Sequence, residues 1–317
     1  MFWTIFGIIA ALSVILAVAT VVFLRMAICR NDSYTLERAL ARMEKTTPPQ
    51  QFALIKEGVA RFEAEKKQDV FITSRDGLRL HAYLFEQENP AAARGTIVLV
   101  HGWRSHPQLD FSASRSSYLE KGLNVLAIHQ RAHGLSEGKF ICFGVKERFD
   151  LLDWLAFVSE RYGADHKIIT SGISMGSATV LMALGEESFP RNVVGATADC
   201  GFTSPWDQFI HVLRHTYHLP KFPLLYTTDL LSRAVADFPF RACSTVESLK
   251  KSRTPLLILH GLADDFVPPE HSRQNAAACS SPCELIEVEG AGHGMSYLVD
   301  PETVKPKLDE FLDRILA

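Results

Sequence analysis

Gly172-Ile173-Ser174-Met175-Gly176 is the stretch whose reading decides the fold. Lys167 to Gly172 (KIITSG) leads into it with the character of a short buried strand, and Ala178 to Glu187 (ATVLMALGEE) follows as a helix. A G-x-S-x-G sequence between a strand and a helix marks a nucleophile elbow, a sharp turn that stands a serine hydroxyl above the end of a sheet. The turn forces the serine into a strained backbone conformation, and side chains at Gly172 and Gly176 would collide with the neighbouring helix and strand. Small-residue turns are common, so the pentapeptide alone says little. Its setting favours a nucleophilic Ser174.

A serine hydroxyl is a poor nucleophile near neutral pH and needs a base and an orienting acid. Both are expected downstream, acid before histidine. Thr254 to His260 (TPLLILH) reads as a strand and runs into Gly261-Leu262-Ala263-Asp264-Asp265-Phe266-Val267-Pro268, a loop with two carboxylates. Cys283 to Val288 (CELIEV) reads as another, followed by Glu289-Gly290-Ala291-Gly292-His293-Gly294. A helix-capping aspartate and a solvated histidine are alternatives for each loop taken singly. Their succession after an elbow favours catalytic roles.

These pieces, with His101-Gly102 after a strand and Gln130-Arg131-Ala132-His133-Gly134-Leu135-Ser136-Glu137-Gly138, resemble the α/β-hydrolases of the serine hydrolase branch. The likeness is to bacterial membrane-anchored members and Bem46-like proteins, and it covers roughly residues 68 to 317. It implies that the acid is the first aspartate of the H-G-x-x-D-x-x-V-P loop, Asp264. Asp265 and Asp199, the latter ending the strand-like VVGATAD, stay open as rivals. It also implies an oxyanion hole formed by the backbone N–H groups of Trp103 and Met175. Arg131-Ala132-His133-Gly134 departs from the commoner Arg-Gly-His-Gly, a loop that braces the floor of the site. The expected reaction is hydrolysis of a carboxylic ester or thioester, with a lipid or lysophospholipid among the substrates. A non-catalytic binding or signalling module and a serine peptidase are the alternatives.

Elsewhere strands and helices alternate, which argues a doubly wound, mostly parallel sheet. Expected strands are Ile97 to Val100, Asn124 to His129, Lys167 to Gly172, Val193 to Asp199, Leu256 to His260 and Glu284 to Val288. Asp150 to Tyr162 is the clearest helix. Arg75-Asp76-Gly77 turns a hairpin near the start of the domain. Residues 202 to 246, rich in aromatics and broken by Pro205, Pro220, Pro223 and Pro239, read as a small helical cap over an apolar pocket. Asp207, His211, His215 and His218 share a helical face there, but no Glu completes an H-E-x-x-H pattern, so no metal is expected. A net charge of -3 and the lack of a Gly-rich phosphate loop argue against nucleic acid and nucleotide cofactors.

Phe2 to Leu24 holds no charged residue. As a helix it reaches about 35 Å, enough to cross a bilayer core. A cleaved signal peptide needs a basic n-region, and no Lys or Arg precedes Leu24. The expected division is a transmembrane anchor at 1–24, a helical connector at 25–67 and a hydrolase domain at 68–317. Ser33 is expected to cap a connector helix from Tyr34 to Lys45, and Phe52, Ile55, Val59 and Phe62 to form the stripe of a second. Arg25, Arg30, Arg38, Arg42 and Lys45 all follow the span, which places the domain on the cytoplasmic face by the positive-inside rule. The six cysteines show no paired framework. The anchor is expected to stand apart from catalysis, since every candidate site residue lies at or beyond His101.

Overall fold

The computed structural model describes residues 1–317. Three helices lead the chain: α1 (Phe2–Ile28), α2 (Leu36–Thr46) and α3 (Pro49–Ala64). β1 (Gln68–Thr73) and β2 (Arg79–Phe85) make a hairpin that turns at Gly77, whose φ of 88° suits glycine. Then come β3 (Gly95–Val100), α4 (Pro107–Asp110), α5 (Arg115–Glu120), β4 (Leu123–Ile128), α6 (Glu147–Tyr162), β5 (Ile168–Ile173), α7 (Met175–Ala183) and β6 (Val193–Asp199). The insertion after β6 carries α8 (Pro205–His215) and α9 (Leu224–Ala236). The chain closes with α10 (Thr245–Leu249), β7 (Leu256–Gly261), α11 (Pro269–Ala278), β8 (Cys283–Val288), α12 (Ser296–Val299) and α13 (Pro301–Leu316).

Eight strands form one sheet in the order β1-β2-β4-β3-β5-β6-β7-β8. β1, β2 and β4 pair antiparallel, and every pair from β4 to β8 is parallel. This is the doubly wound, mostly parallel sheet that the alternation of elements predicts. Helices cover both faces: Trp154, Leu155 and Val158 of α6 pack with Val180 and Leu181 of α7 on one side. Phe62 of α3, Tyr118 of α5 and Phe311 of α13 pack on the other. β3 is therefore buried along its whole length, which explains its run of β-branched residues and leucine. The strand order reverses at β3, whose neighbours are β4 and β5. Loops leaving the carboxyl ends of β3 and β5 diverge there and open a crevice, the usual place for a ligand in such sheets.

The N-terminal region departs from its sequence reading at the start of the first connector helix. α2 starts at Leu36 rather than Tyr34, and its cap is Thr35, whose hydroxyl accepts from the Arg38 N–H. Ser33 instead donates its hydroxyl to Asn31 Oδ1. α3 buries Ile55, Val59 and Phe62, as the helical stripe predicts, and Phe62 joins the core cluster on one face of the sheet.

α1 also runs past Leu24 to Ile28. It is long and apolar enough to cross a membrane. Its last two turns, however, bury Phe23, Leu24, Ala27 and Ile28 in a cluster with Phe202, Phe209, Phe238 and Phe240 of the insertion. Thr20 and Thr227 share a hydroxyl hydrogen bond of 2.6 Å, tying α1 to α9. The end of α1 therefore packs on the insertion, where the sequence reading set the whole helix apart from the domain.

Candidate active site

β5 ends in the elbow. Ser174 holds φ 56° and ψ −118°, a conformation that L-residues rarely adopt. The surrounding packing enforces it: a Cβ on Gly172 would strike the Gly176 carbonyl, and one on Gly176 the Val100 carbonyl of β3. The Ser174 N–H donates to the Asp199 carbonyl at 2.8 Å, fixing the turn against the end of β6. His293, on the loop after β8, places Nε2 2.8 Å from Ser174 Oγ. Its Nδ1 lies 2.7 Å from Asp264 Oδ2, on the loop after β7. The other oxygen of Asp264 accepts the N–H groups of Phe266 and Val267 at 3.0 and 2.9 Å. Burial pushes the Asp264 carboxyl up, but hydrogen bonds from His260, His293 and Val267 outweigh it and hold the group well below the carboxylate range.

The three aspartates are thus distinguished by geometry. Asp199 is buried beside the elbow, but its carboxylate accepts from the Ser296 hydroxyl at 3.0 Å and makes no bond to His293. Burial raises its pKa. Asp265 is exposed and offers only its carbonyl, to His211 Nε2 at 2.7 Å. Only Asp264 meets the histidine.

The loop after β3 is held from three sides. Gly102 N–H donates to Asp110 Oδ2 at 2.6 Å, and the other oxygen of Asp110 accepts from the Ser105 hydroxyl. Arg104 N–H donates to His133 Nε2 at 2.9 Å, while His133 Nδ1 donates to the Arg131 carbonyl at 2.9 Å. Burial drops the His133 pKa to about 4, which keeps Nε2 free to accept. His101 Nε2 accepts from the Gln130 N–H at 3.1 Å. Between these braces lies Trp103, and neither its backbone N–H nor that of Met175, the first residue of α7, donates to any protein group. Both residues line the same cavity as Ser174. Such unpaired donors, one at the positive end of a helix, suit a developing oxyanion.

His133 was legible as part of a bracing loop. Asp110 was missed, because nothing in its local spacing distinguishes it from a surface aspartate.

Residues 97–306 match the alpha/beta hydrolase family. The chain belongs to that family. It is similar to the protein YqkD of Bacillus subtilis, at 28% identity over 80% of this chain and 82% of the relative. It is also similar to the alpha/beta hydrolase domain-containing protein WAV2 of Arabidopsis thaliana, at 26% identity over 78% and 79%. The esterase Pf2001 of Pyrococcus furiosus superposes with a TM-score of 0.64, at 23% identity, over 81% of this chain and 95% of that one.

In this alpha/beta hydrolase, Cys200 lies close to Asp264 and His293, but burial raises its thiol pKa well above normal and leaves it protonated. Of the cap groups read as a shared face, His211 and His215 stack with ring centroids 4.4 Å apart. His211 spends Nε2 on Asp265, and Asp207 accepts the hydroxyls of Thr203 and Ser204. His218 lies beyond the end of α8 with φ 53°, so it does not share the face that the sequence reading gave it.

Proposed function

We propose that the protein is a membrane-anchored serine hydrolase that cleaves a carboxylic ester or thioester through an acyl-enzyme on Ser174. The observation that carries this reading is the continuous relay from Ser174 Oγ through His293 to Asp264, with links of 2.8 and 2.7 Å. His293 takes the hydroxyl proton as Ser174 attacks the carbonyl. Asp264, accepting at Nδ1, holds the imidazole in the tautomer that leaves Nε2 basic, and stabilises the imidazolium. The Trp103 and Met175 amides receive the oxyanion. His293 then returns the proton to the leaving group, and a water deprotonated by the same nitrogen releases the acid.

α1 is read as an uncleaved anchor, with the domain on the cytoplasmic face, since Arg25, Arg30, Arg38, Arg42 and Lys45 all follow it. Protease added outside intact cells leaves the domain whole if this orientation holds, and digests it if the domain faces outward.

Fluorophosphonate labelling tests the chemistry. Wild type should label and Ser174→Ala should not. A folded wild type that resists labelling overturns the reading and favours a binding module on this fold.

A further inference from the structure

Ser174 lies where two adjoining cavities meet. One, of about 440 Å³, is walled by Phe143, Phe202, Phe209 and Val212, and on its anchor side by Phe23 and Met26 of α1. The other, of about 550 Å³, is lined by Arg38, Arg42 and Arg104 beside His293. None of these arginines is paired with a carboxylate: Arg38 and Arg104 spend donors on backbone carbonyls, and Arg42 on none. The acidic side chain on that wall, Asp110, is half-buried and occupied by Gly102 and Ser105. Arg42 and Arg104 line both cavities and Arg38 only the second, so the nucleophile has the apolar wall of α1 on one side and carboxylate-free arginines within reach on the other.

The placement of α1 says where the chambers sit. Its residues Phe2 to Ala19 extend about 27 Å before the helix meets the cap at Thr20. That length nearly equals a hydrocarbon core of about 30 Å. The lipid boundary therefore falls at Thr20, one turn from Phe23 and the apolar chamber. At the same level the cap exposes Phe222, Tyr226 and Leu230, at 69%, 43% and 68%. Large apolar side chains beside a membrane span are covered by lipid rather than water.

We propose that the last two turns of α1 form a substrate-binding wall, and that the substrate is a single-chain acyl ester with an anionic leaving group, drawn from the lipid surface. The acyl chain enters the chamber walled by Phe23 and Met26, and the anion faces Arg38 and Arg42. Attack by Ser174 Oγ breaks the ester C–O bond, and the proton it sheds passes through His293 to the departing alcohol. Water then cleaves the acyl-enzyme to the fatty acid. This inference rests on the serine-hydrolase reading.

The test uses full-length protein in detergent micelles with p-nitrophenyl acetate, octanoate and dodecanoate. In phosphatidylcholine vesicles it uses lysophosphatidylglycerol against a monoacylglycerol of the same chain. Met26→Trp adds bulk at a half-exposed position of the chamber wall, and should lower the dodecanoate-to-acetate ratio of kcat/KM about tenfold. Phe23→Ala should shift the chain-length optimum the other way. Wild type should prefer lysophosphatidylglycerol about tenfold, and Arg42→Gln should shrink that preference. An unaltered chain-length profile in both α1 variants overturns the wall, and equal rates on the two vesicle substrates overturn the anionic leaving group. A wild type inactive even on acetate overturns the serine-hydrolase reading itself, a result distinct from the other two.

Discussion

At the residue scale the site turns on which carboxylate serves His293. Asp264 alone reaches it, at 2.7 Å, so Asp264→Asn should lower kcat by about 10⁴-fold, the loss expected when the wrong imidazole tautomer is held. Asp199→Asn should cost far less; the reverse ranking in steady-state kinetics would transfer the role. Asp110 acts at one remove. It fixes Gly102, and through it the Trp103 amide, so Asp110→Ala should lower kcat by about 10- to 100-fold while KM for a small ester barely moves. Equal loss in kcat and stability, with no kinetic signature after correction for folded fraction, would reduce Asp110 to a structural group. Ser174 and His293 were legible because an elbow and a glycine-flanked loop are local patterns. Asp110 was not, because its partner is a backbone N–H eight residues upstream, fixed only once β3 is packed.

Among the elements, α3 shows how a connector becomes core. Phe62 is fully buried, with its ring 4.9 Å from Phe85 and 5.6 Å from Tyr83 in edge-on contacts. Phe62→Ala should lower the unfolding free energy by about 3 to 5 kcal/mol, measured by urea titration, without displacing the site residues. A loss below 1 kcal/mol would mean that α3 is only loosely docked. The stripe Ile55, Val59 and Phe62 announced this packing in advance, since its spacing is helical and its residues large. The parallel strands were as plain: strands buried on both faces read as nearly continuous apolar runs, interrupted only by small or hydrogen-bonded polar residues such as Asn124 and Thr197. The end of α1 was not plain. An apolar run has the same composition whether it faces lipid or a cap, so its sequence could not say where one stops and the other begins.

Taken whole, the molecule buries a set of histidines near the site. Burial lowers the pKa of His101, His129 and His133 below the ordinary 6.5, His133 to about 4. A depressed folded value means that the unfolded chain binds the proton first. The stability these neutral rings contribute is complete above pH 6.5 and is lost as pH falls toward 4. Melting temperature should therefore decline across that window. In His133→Gln, whose amide oxygen can accept the Arg104 N–H without titrating, the decline should be shallower. An identical acid limb in the variant would show that other groups govern it.

The passage from α1 into the domain leaves no slack. The helix persists to Ile28, the Ile28 carbonyl accepts from Ile141 N–H at 2.7 Å, and Arg30 N–H donates to the Lys139 carbonyl at 2.8 Å. Trp103 adds an indole N–H to the Ala27 carbonyl at 2.8 Å. A flexible leash of n residues would let a domain sweep a volume about 5–6 Å × √n in radius. Here n is effectively zero. On the anchored reading, the enzyme's height above the bilayer is constant and its territory is a thin sheet rather than a hemisphere. It would meet what diffuses in two dimensions, and a bilayer too thick or too thin for α1 would tip the whole catalytic head instead of stretching a linker.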